Sequence, residues 1–363
     1  MKTTLGAVAH ECRNTWNGDK TGVPVVGLEH LEPGEVILSS WEIDSDNTFT
    51  KKFTKGQVLL GRRRVYLRKA VLAPVDGICS GDITVIEANP DKLLPELLPF
   101  IIQNDAFFNY AMKGSAGSLS PRVKWEHLKD YEISLPTLAE QRKLADKLWA
   151  AYHLKESYKR LLATTDEMVK SQFIEITSHL PLNGTIADIV DGNISSVKRT
   201  YTSNDEISYI DISSIDAGNN TITTVSSVKV GKAPSRAQQC VKRGDILVST
   251  VRPNNRNIAV IDSDLNNLVA SSGFCVLRAS WTQRSYLKYI VTSDAFTHKM
   301  CDKASGGLYP AVNYGDVLSY RIHIPEDSLS QKLSDIDAQA DKSKFELKEA
   351  IKRIDDVMKA LMN

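Results

Sequence analysis

The chain of 363 residues has little that would make it an enzyme, a secreted scaffold or a membrane protein. Its five cysteines (12, 79, 240, 275 and 301) are odd in number and show no CxxC or CxxH spacing. That excludes a disulfide framework and the common zinc motifs, and it points to reduced, mostly buried thiols in a cytoplasmic protein without a metal site. The seven histidines (10, 30, 127, 153, 179, 298 and 323) show no ligand spacing either. No apolar run approaches the ~20 residues that a membrane span needs. The opening MKTTLGAVAHECRN has one Lys and no apolar block, so it is not expected to be a secretory signal. Charge of one sign is also lacking. Lys and Arg number 45 against 44 Asp and Glu, and no segment is a general polycation. If the partner is nucleic acid, its binding must come from local patches. There is no phosphate-binding Gly-x4-Gly-Lys-Ser/Thr loop.

What is present is a repeat. GSLSPRVKWEHLKDYEISLP at 117–136 returns as GGLYPAVNYGDVLSYRIHIP at 306–325, 189 residues later. Residues 98–136 align with 287–325 without a gap, and twelve of the 39 positions are identical, where chance gives about two. The identities include Asp105-Ala106-Phe107 with Asp294-Ala295-Phe296, the Gly-x-Leu-x-Pro loop, and the closing Pro136 and Pro325. Upstream, Val23 to Gly34 resembles Ile207 to Gly218, and Lys55-Gly-Gln-Val-Leu-Leu60 resembles Arg243-Gly-Asp-Ile-Leu-Val248. Each copy therefore runs from short strands with Gly turns through a basic loop, more strand and a helix to a Gly-Leu-Pro loop and a last strand. Phe107 and Phe296, and Trp125 and Tyr314, read as core.

Each copy is followed by a segment of different composition. Residues 138–176 hold no Gly or Pro and are rich in strong helix formers. Leu144, Leu148, Ala151, Leu154, Tyr158, Leu161, Leu162, Met168 and Val169 recur as a stripe tending to a heptad. In residues 328–363, Ala340, Leu347, Ile351, Ile354, Met358 and Leu361 do the same, with Lys344 as the polar interruption. A helix of ~39 residues is ~58 Å long, too long to pack wholly within one domain. The pattern predicts an α+β protein: two tandemly duplicated domains, strand-rich with short helices, joined by two long antiparallel coiled-coil helices with pseudo-two-fold symmetry. The expected divisions are 1–137, 138–180 (first long helix), 181–326 and 327–363 (second long helix).

Ile-Ser-Leu-Pro-Thr-Leu-Ala-Glu-Gln-Arg-Lys-Leu-Ala (133–145) and Lys-Arg-Gly-Asp-Ile-Leu-Val-Ser-Thr-Val-Arg-Pro (242–253), set in this duplicated plan, resemble the specificity subunit of type I restriction–modification systems. The second copy departs from the pattern: Pro325 is followed by Glu-Asp-Ser-Leu-Ser-Gln-Lys-Leu, a degraded form of Leu-Ala-Glu-Gln-Arg. The resemblance implies two target-recognition domains, each reading half of a bipartite site in double-stranded DNA, with the helices as spacer. It implies two adenine-N6 methyltransferase subunits as partners, which bring S-adenosylmethionine. It also implies two restriction/translocase subunits, using ATP and Mg, where the system has them. The chain itself would hold no cofactor, catalyse nothing and touch no membrane.

The residues agree with a reader that lacks chemistry of its own. An adenine-N6 methyltransferase needs an Asn/Asp-Pro-Pro-aromatic loop for the flipped base; the chain has no Pro-Pro, and its one Asn-Pro is Asn89-Pro90. For DNA contact, residues 61–69 place Arg62, Arg63, Arg64, Arg68 and Lys69 beside a Tyr, and the second copy has Arg252, Asn254, Asn255 and Arg256. Arg suits guanine O6/N7 and Asn suits adenine N6/N7. The Gly-Leu-Pro loops add Lys113, Ser118, Ser120, Arg122 and Lys124 in the first copy, and Lys303, Ser305, Tyr309 and Asn313 in the second, for phosphates. The alternative is an adaptor whose duplicated domains bind protein across a coiled-coil rod; it would retain no DNA.

Overall fold

Val58–Gly61 and Ile246–Ser249 are four-residue strands whose first three residues are large and apolar, and in the computed structural model, which describes residues 2–117 and 120–362, every residue of both strands is buried. Burial on both faces explains why neither run alternates with polar residues. Each follows a Gly at positive φ, Gly56 at 89° and Gly244 at 91°, a backbone region open to glycine without steric cost. The matching Lys-Gly and Arg-Gly dipeptides of the repeat are thus the same turn used twice.

The chain divides into two compact units, residues 1–160 with 347–363, and residues 161–346. In the first, Val58–Gly61 lies between antiparallel Ile83–Ala88 and Ala70–Leu72, with Ala9–Cys12 on the far edge of Ile83–Ala88. A second four-stranded sheet runs Glu42–Ile43, Pro24–Val26, Gly77–Cys79, Lys51–Phe53, with Pro24–Val26 and Gly77–Cys79 parallel. In the second unit Ile246–Ser249 lies between Phe274–Leu277 and Ile258–Val260, and Glu206–Ile210 runs parallel to Leu268–Ser271. The two units share this topology. Each is closed by pairing the strand before the repeat's final Pro with its own first strand: Glu132–Ser134 with Lys2–Thr4, and Arg321–Ile322 with Gly184–Thr185.

Asp105–Lys113 and Asp294–Lys303 are the helices that begin with the repeated Asp-Ala-Phe. Asn104 and Ser293 cap them by accepting the Ala106 and Phe296 N–H groups. Phe107 and Phe296 are fully buried, as expected, and Trp125 packs against the first core. Tyr314 departs from expectation: it is 38% exposed, with its hydroxyl donating to the Phe274 carbonyl.

The long helices are Leu138–Thr177 and Asp327–Met362, and each unit takes a part of both. In the first unit Ala145, Leu148 and Tyr152 enter the core, with Met358, Leu361 and Met362 packed on the same cluster. Lys155 there pairs with Asp355 at 2.6 Å. In the second, Phe173 shares a core with Leu333, flanked by Val169 and Ile336, while Asp166 pairs with Lys344 at 3.1 Å. As one number rises the other falls, so the helices are antiparallel within that unit. Lys344 is therefore no flaw in the stripe. Lys155 and Lys344, and Asp166 and Asp355, are each 189 residues apart (344 less 155, 355 less 166) and make the same cross-helix ion pair in both units.

The heptad expectation needs one correction. Leu154 and Leu161 are 46% and 51% exposed, off the packed face. Gln141, Ala145, Leu148, Tyr152, Thr165 and Phe173 are the buried positions, with Leu144, Tyr158 and Val169 half-buried. Gln141, Leu148, Lys155, Leu162 and Val169, and Ala145, Tyr152, Lys159 and Phe173, fall at multiples of seven residues, so the packed face keeps a heptad period, and Leu154 and Leu161 occupy a different heptad position that faces away from it. Leu347, Ile351, Ile354, Met358 and Leu361 are half-buried. Among the described residues no helix is long and apolar enough to cross a membrane.

Candidate nucleic-acid interface

In each unit the basic loop leaves the central strand and is clamped by the Gly-x-Leu-x-Pro loop. The Arg64 N–H donates to the Pro121 carbonyl at 2.8 Å, and the Arg252 N–H to that of Pro310 at 2.7 Å. Val123 and Val312 return bonds to Arg62 and Thr250. The residues flanking each Gly-x-Leu-x-Pro loop pair with one another, Ala116 with Arg122 and Ser305 with Ala311, with Gly117 and Gly306 at φ of 120° and 105°. No other residue reaches that conformation without strain. The repeated sentence of the sequence is the clamp.

The clamped loops are themselves strained. Arg64 and Arg68 in one unit, and Arg252 and Arg256 in the other, flank short 3-10 turns (Val65–Leu67 and Pro253–Asn255), and all four have φ between 50° and 53°. Left-handed backbone at a non-glycine costs about 1–2 kcal/mol, and such strain persists only where the surroundings impose it, typically at functional sites. The helix that follows supplies part of the restraint. Arg68 pairs with Asp105 and reaches Asn109 at 3.3 Å; Arg256 pairs with Asp294 at 2.5 Å. The Arg256 hydrogen bond holds the exposed Asp294 carboxyl below the ordinary carboxylate range. The identity of Asp-Ala-Phe in the two copies therefore has two causes: Phe fills the core and Asp anchors the loop arginine.

Not every candidate is equally free. In the first unit Arg64 is exposed, and its side chain has no hydrogen-bond or ion-pair partner among the described residues. Tyr66 and Leu67 beside it are 52% and 43% exposed. Arg122 is bidentate on Asp82 at 2.7 and 3.2 Å, and Arg63 reaches Asp82 at 3.6 Å and donates to the Ser120 hydroxyl at 3.0 Å. Asp82 is held below the usual carboxylate range chiefly by the Arg122 hydrogen bond. Lys69 donates to the Leu28 carbonyl at 2.8 Å. Lys113 and Lys124 are exposed; Lys124 lines a cleft with Arg62, Arg13 and Trp125. Ser118 lies outside the described residues.

In the second unit Arg252 stacks over Tyr309 at 4.7 Å and donates to the Leu308 carbonyl at 3.1 Å. Leu308 and Tyr309 are 85% and 68% exposed at the hairpin tip. Asn254 and Asn255 are exposed and bond each other at 3.2 Å. Lys303 is drawn to Asp316 at 3.6 Å, and Asn313 caps the Tyr314–Leu318 helix, accepting the Asp316 N–H at 2.9 Å. Ser305 is exposed, in backbone pairing with Ala311.

The differences between the loops are correlated. The Asp82 carbonyl accepts the Arg62 N–H as the Gly273 carbonyl accepts that of Thr250, so Gly273 stands where Asp82 does, and Ala311 where Arg122 does. Acid and base are lost together. Sequence reasoning missed Asp82, Asp105, Asp294 and Leu308. The repeated tripeptide was a signal for the middle two; a pairing between positions 82 and 122 leaves none.

The Leu-Ala-Glu-Gln-Arg stretch acts locally. Glu140 accepts from the Thr137 N–H and hydroxyl, capping the first long helix. Gln141, 1% exposed, accepts the Leu94 N–H at 2.9 Å and donates to the Lys92 and Pro136 carbonyls, both at 3.1 Å. Ser330 occupies the equivalent place in the second copy; it is fully buried, and its hydroxyl finds no partner among the described residues.

Two units of one topology, each presenting a clamped arginine loop and taking part of a pair of long helices, define a duplicated α+β fold. A chain from a structure addressing assembly and conformational transition of the type I restriction–modification system matches all of this chain and 96% of its own length, with a TM-score of 0.57 and 21% identity. The type I restriction–modification S subunit from M. genitalium matches with a TM-score of 0.55 and 13% identity, over 100% and 96% of the two chains. Residues 12–163 match the type I restriction modification DNA specificity domain. The HindI specificity subunit of Haemophilus influenzae is 30% identical over 150 residues, 40% of this chain and 33% of that protein, so the match spans about a third of the relative.

Proposed function

We propose that this chain is the DNA-reading subunit of a type I restriction–modification enzyme, without catalysis of its own. Each unit reads one half of a bipartite target in double-stranded DNA through its arginine loop and Gly-x-Leu-x-Pro loop, and the two long helices set the gap. Two adenine-N6 methyltransferase subunits, which bind S-adenosylmethionine, dock on it, and restriction subunits using ATP and Mg join where the system has them. The enzyme works in the cytoplasm. One observation carries this reading: both units strain two arginines into left-handed backbone and clamp them in the same way, yet present different side chains around them. A shared scaffold with dissimilar reading groups suits an asymmetric split target.

The test is co-expression with the cognate methyltransferase and mapping of N6-methyladenine on a random-sequence library. Arg64→Ala is expected to relax one half-site and Arg252→Ala the other. A single contiguous motif, or one unchanged by both substitutions, would defeat the proposal.

A further inference from the structure

The edge strand Ala9–Cys12 carries two metal-ligating side chains on one face, since His10 and Cys12 are two residues apart in extended backbone. In the antiparallel register His10 lies opposite Glu87 of Ile83–Ala88. A His10 ring nitrogen, the Cys12 sulfur and a Glu87 oxygen thereby offer three ligand atoms all within 4.8 Å of one another. We propose that His10, Cys12 and Glu87 bind one divalent cation of the zinc class, a site independent of DNA reading.

Three features support this. First, the spacing suits a tetrahedral ion: Zn–S of ~2.3 Å and Zn–N or Zn–O of ~2.0–2.1 Å put ligand atoms ~3.5 Å apart. Cys12 Sγ lies 3.8 Å from His10 Nε2 and 3.3 Å from Glu87 Oε2. Second, the ligand set is mixed thiolate, imidazole and carboxylate, which zinc accepts and magnesium or calcium does not favour. Third, an outer contact is already built. Buried Gln57 has its amide oxygen fixed by the Thr54 N–H at 2.8 Å, so its NH₂ must face the cluster. It donates to Glu87 Oε2 at 2.7 Å and to Cys12 Sγ at 3.3 Å, bonds that orient ligands and strengthen once sulfur is a thiolate.

Binding moves the thiol proton, now directed at Glu87, to solvent, leaving thiolate and carboxylate to balance the dication. Lys51, the nearby cation, is held by Glu11 at 3.2 Å and by the Ile83 carbonyl. His10 and Glu87 are exposed, which gives the ion a path in and leaves a fourth position for water. The cluster is invisible to sequence spacing because Glu87 follows Cys12 by 75 residues.

The experiment uses tag-free full-length protein stripped with chelator, titrated with Co(II) and then Zn(II). One Co(II) per chain is expected, with a thiolate-to-cobalt absorption band that Zn(II) abolishes. Cys12→Ser should remove the band. His10→Gln and Glu87→Gln, both at exposed positions, should each weaken binding at least about tenfold. Cys301→Ser, at an exposed cysteine elsewhere, should leave it unchanged. Absence of the band in the wild-type protein, its survival in Cys12→Ser, or wild-type affinity in both His10→Gln and Glu87→Gln would each overturn the proposal.

Discussion

Replacing Gln141 with Leu should destabilise the protein while replacing Ser330 with Ala should not, although the two residues occupy one position of the repeat. Gln141 satisfies the buried Leu94 N–H and the Lys92 and Pro136 carbonyls with one side chain. Leu is of similar size but returns nothing to these groups. A buried donor left without a partner costs about 1–3 kcal/mol; with two carbonyls also losing a bond, a loss of about 2–4 kcal/mol follows. For a domain of this size each kcal/mol lowers Tm by about 2–4 °C, so the first unit should melt about 4–16 °C lower. Ser330 is the inverse case. Its buried hydroxyl has no partner among the described residues, so Ala removes a desolvated group and is expected to be neutral or to stabilise by up to about 1 kcal/mol. Thermal unfolding followed by circular dichroism, with denaturant melts to obtain free energies, measures both. A Gln141→Leu protein melting within 2 °C of wild type, or a Ser330→Ala protein destabilised by more than about 1 kcal/mol, would refute the reasoning.

Asp245 is 1% exposed and receives two hydrogen bonds from Arg278 at 2.8 and 2.7 Å. Asp245→Asn leaves that guanidinium without its counter-charge, and urea unfolding should show a loss of about 3–5 kcal/mol. Arg64→Gly and Arg252→Gly relieve left-handed strain, so Tm should hold or rise by a few degrees, about 1 kcal/mol, while DNA retention by the assembled complex falls. Asp82, whose carboxyl Arg122 holds below its ordinary value, contributes stability that is fully present above the unfolded carboxylate pKa of about 3.9 and lost as pH falls through the lower folded one. Asp82→Asn should therefore flatten the dependence of first-unit stability on pH below about 4, read from melts between pH 3 and 5.

Much of the architecture was legible because duplication doubles each signal. Gly56 and Gly244, or Gly117 and Gly306, recur because the turn needs positive φ, and recurrence makes a weak local cue readable. The long helices were legible from composition, but their buried face was not. Leu154 and Leu161 keep a seven-residue spacing like the packed positions but lie on another heptad position, and which positions face the core is set by tertiary packing rather than by the spacing itself. The basic loops were found as patches, while their electrostatics escaped. Whether Arg122 or Arg68 is paired depends on Asp82 and Asp105, brought close by a sheet edge and a helix start rather than by sequence neighbourhood. The cross-helix pairs Lys155–Asp355 and Lys344–Asp166 escaped for the same reason.

The central claim is that each unit reads its own half of a split target. Methyladenine mapping with the cognate methyltransferase tests it most directly, comparing the wild-type chain with one whose residues 1–137 are exchanged for another recognition domain. The account predicts a bipartite motif in which one half changes while the other half and the gap stay the same. A motif that does not change, or that changes in both halves, would contradict it.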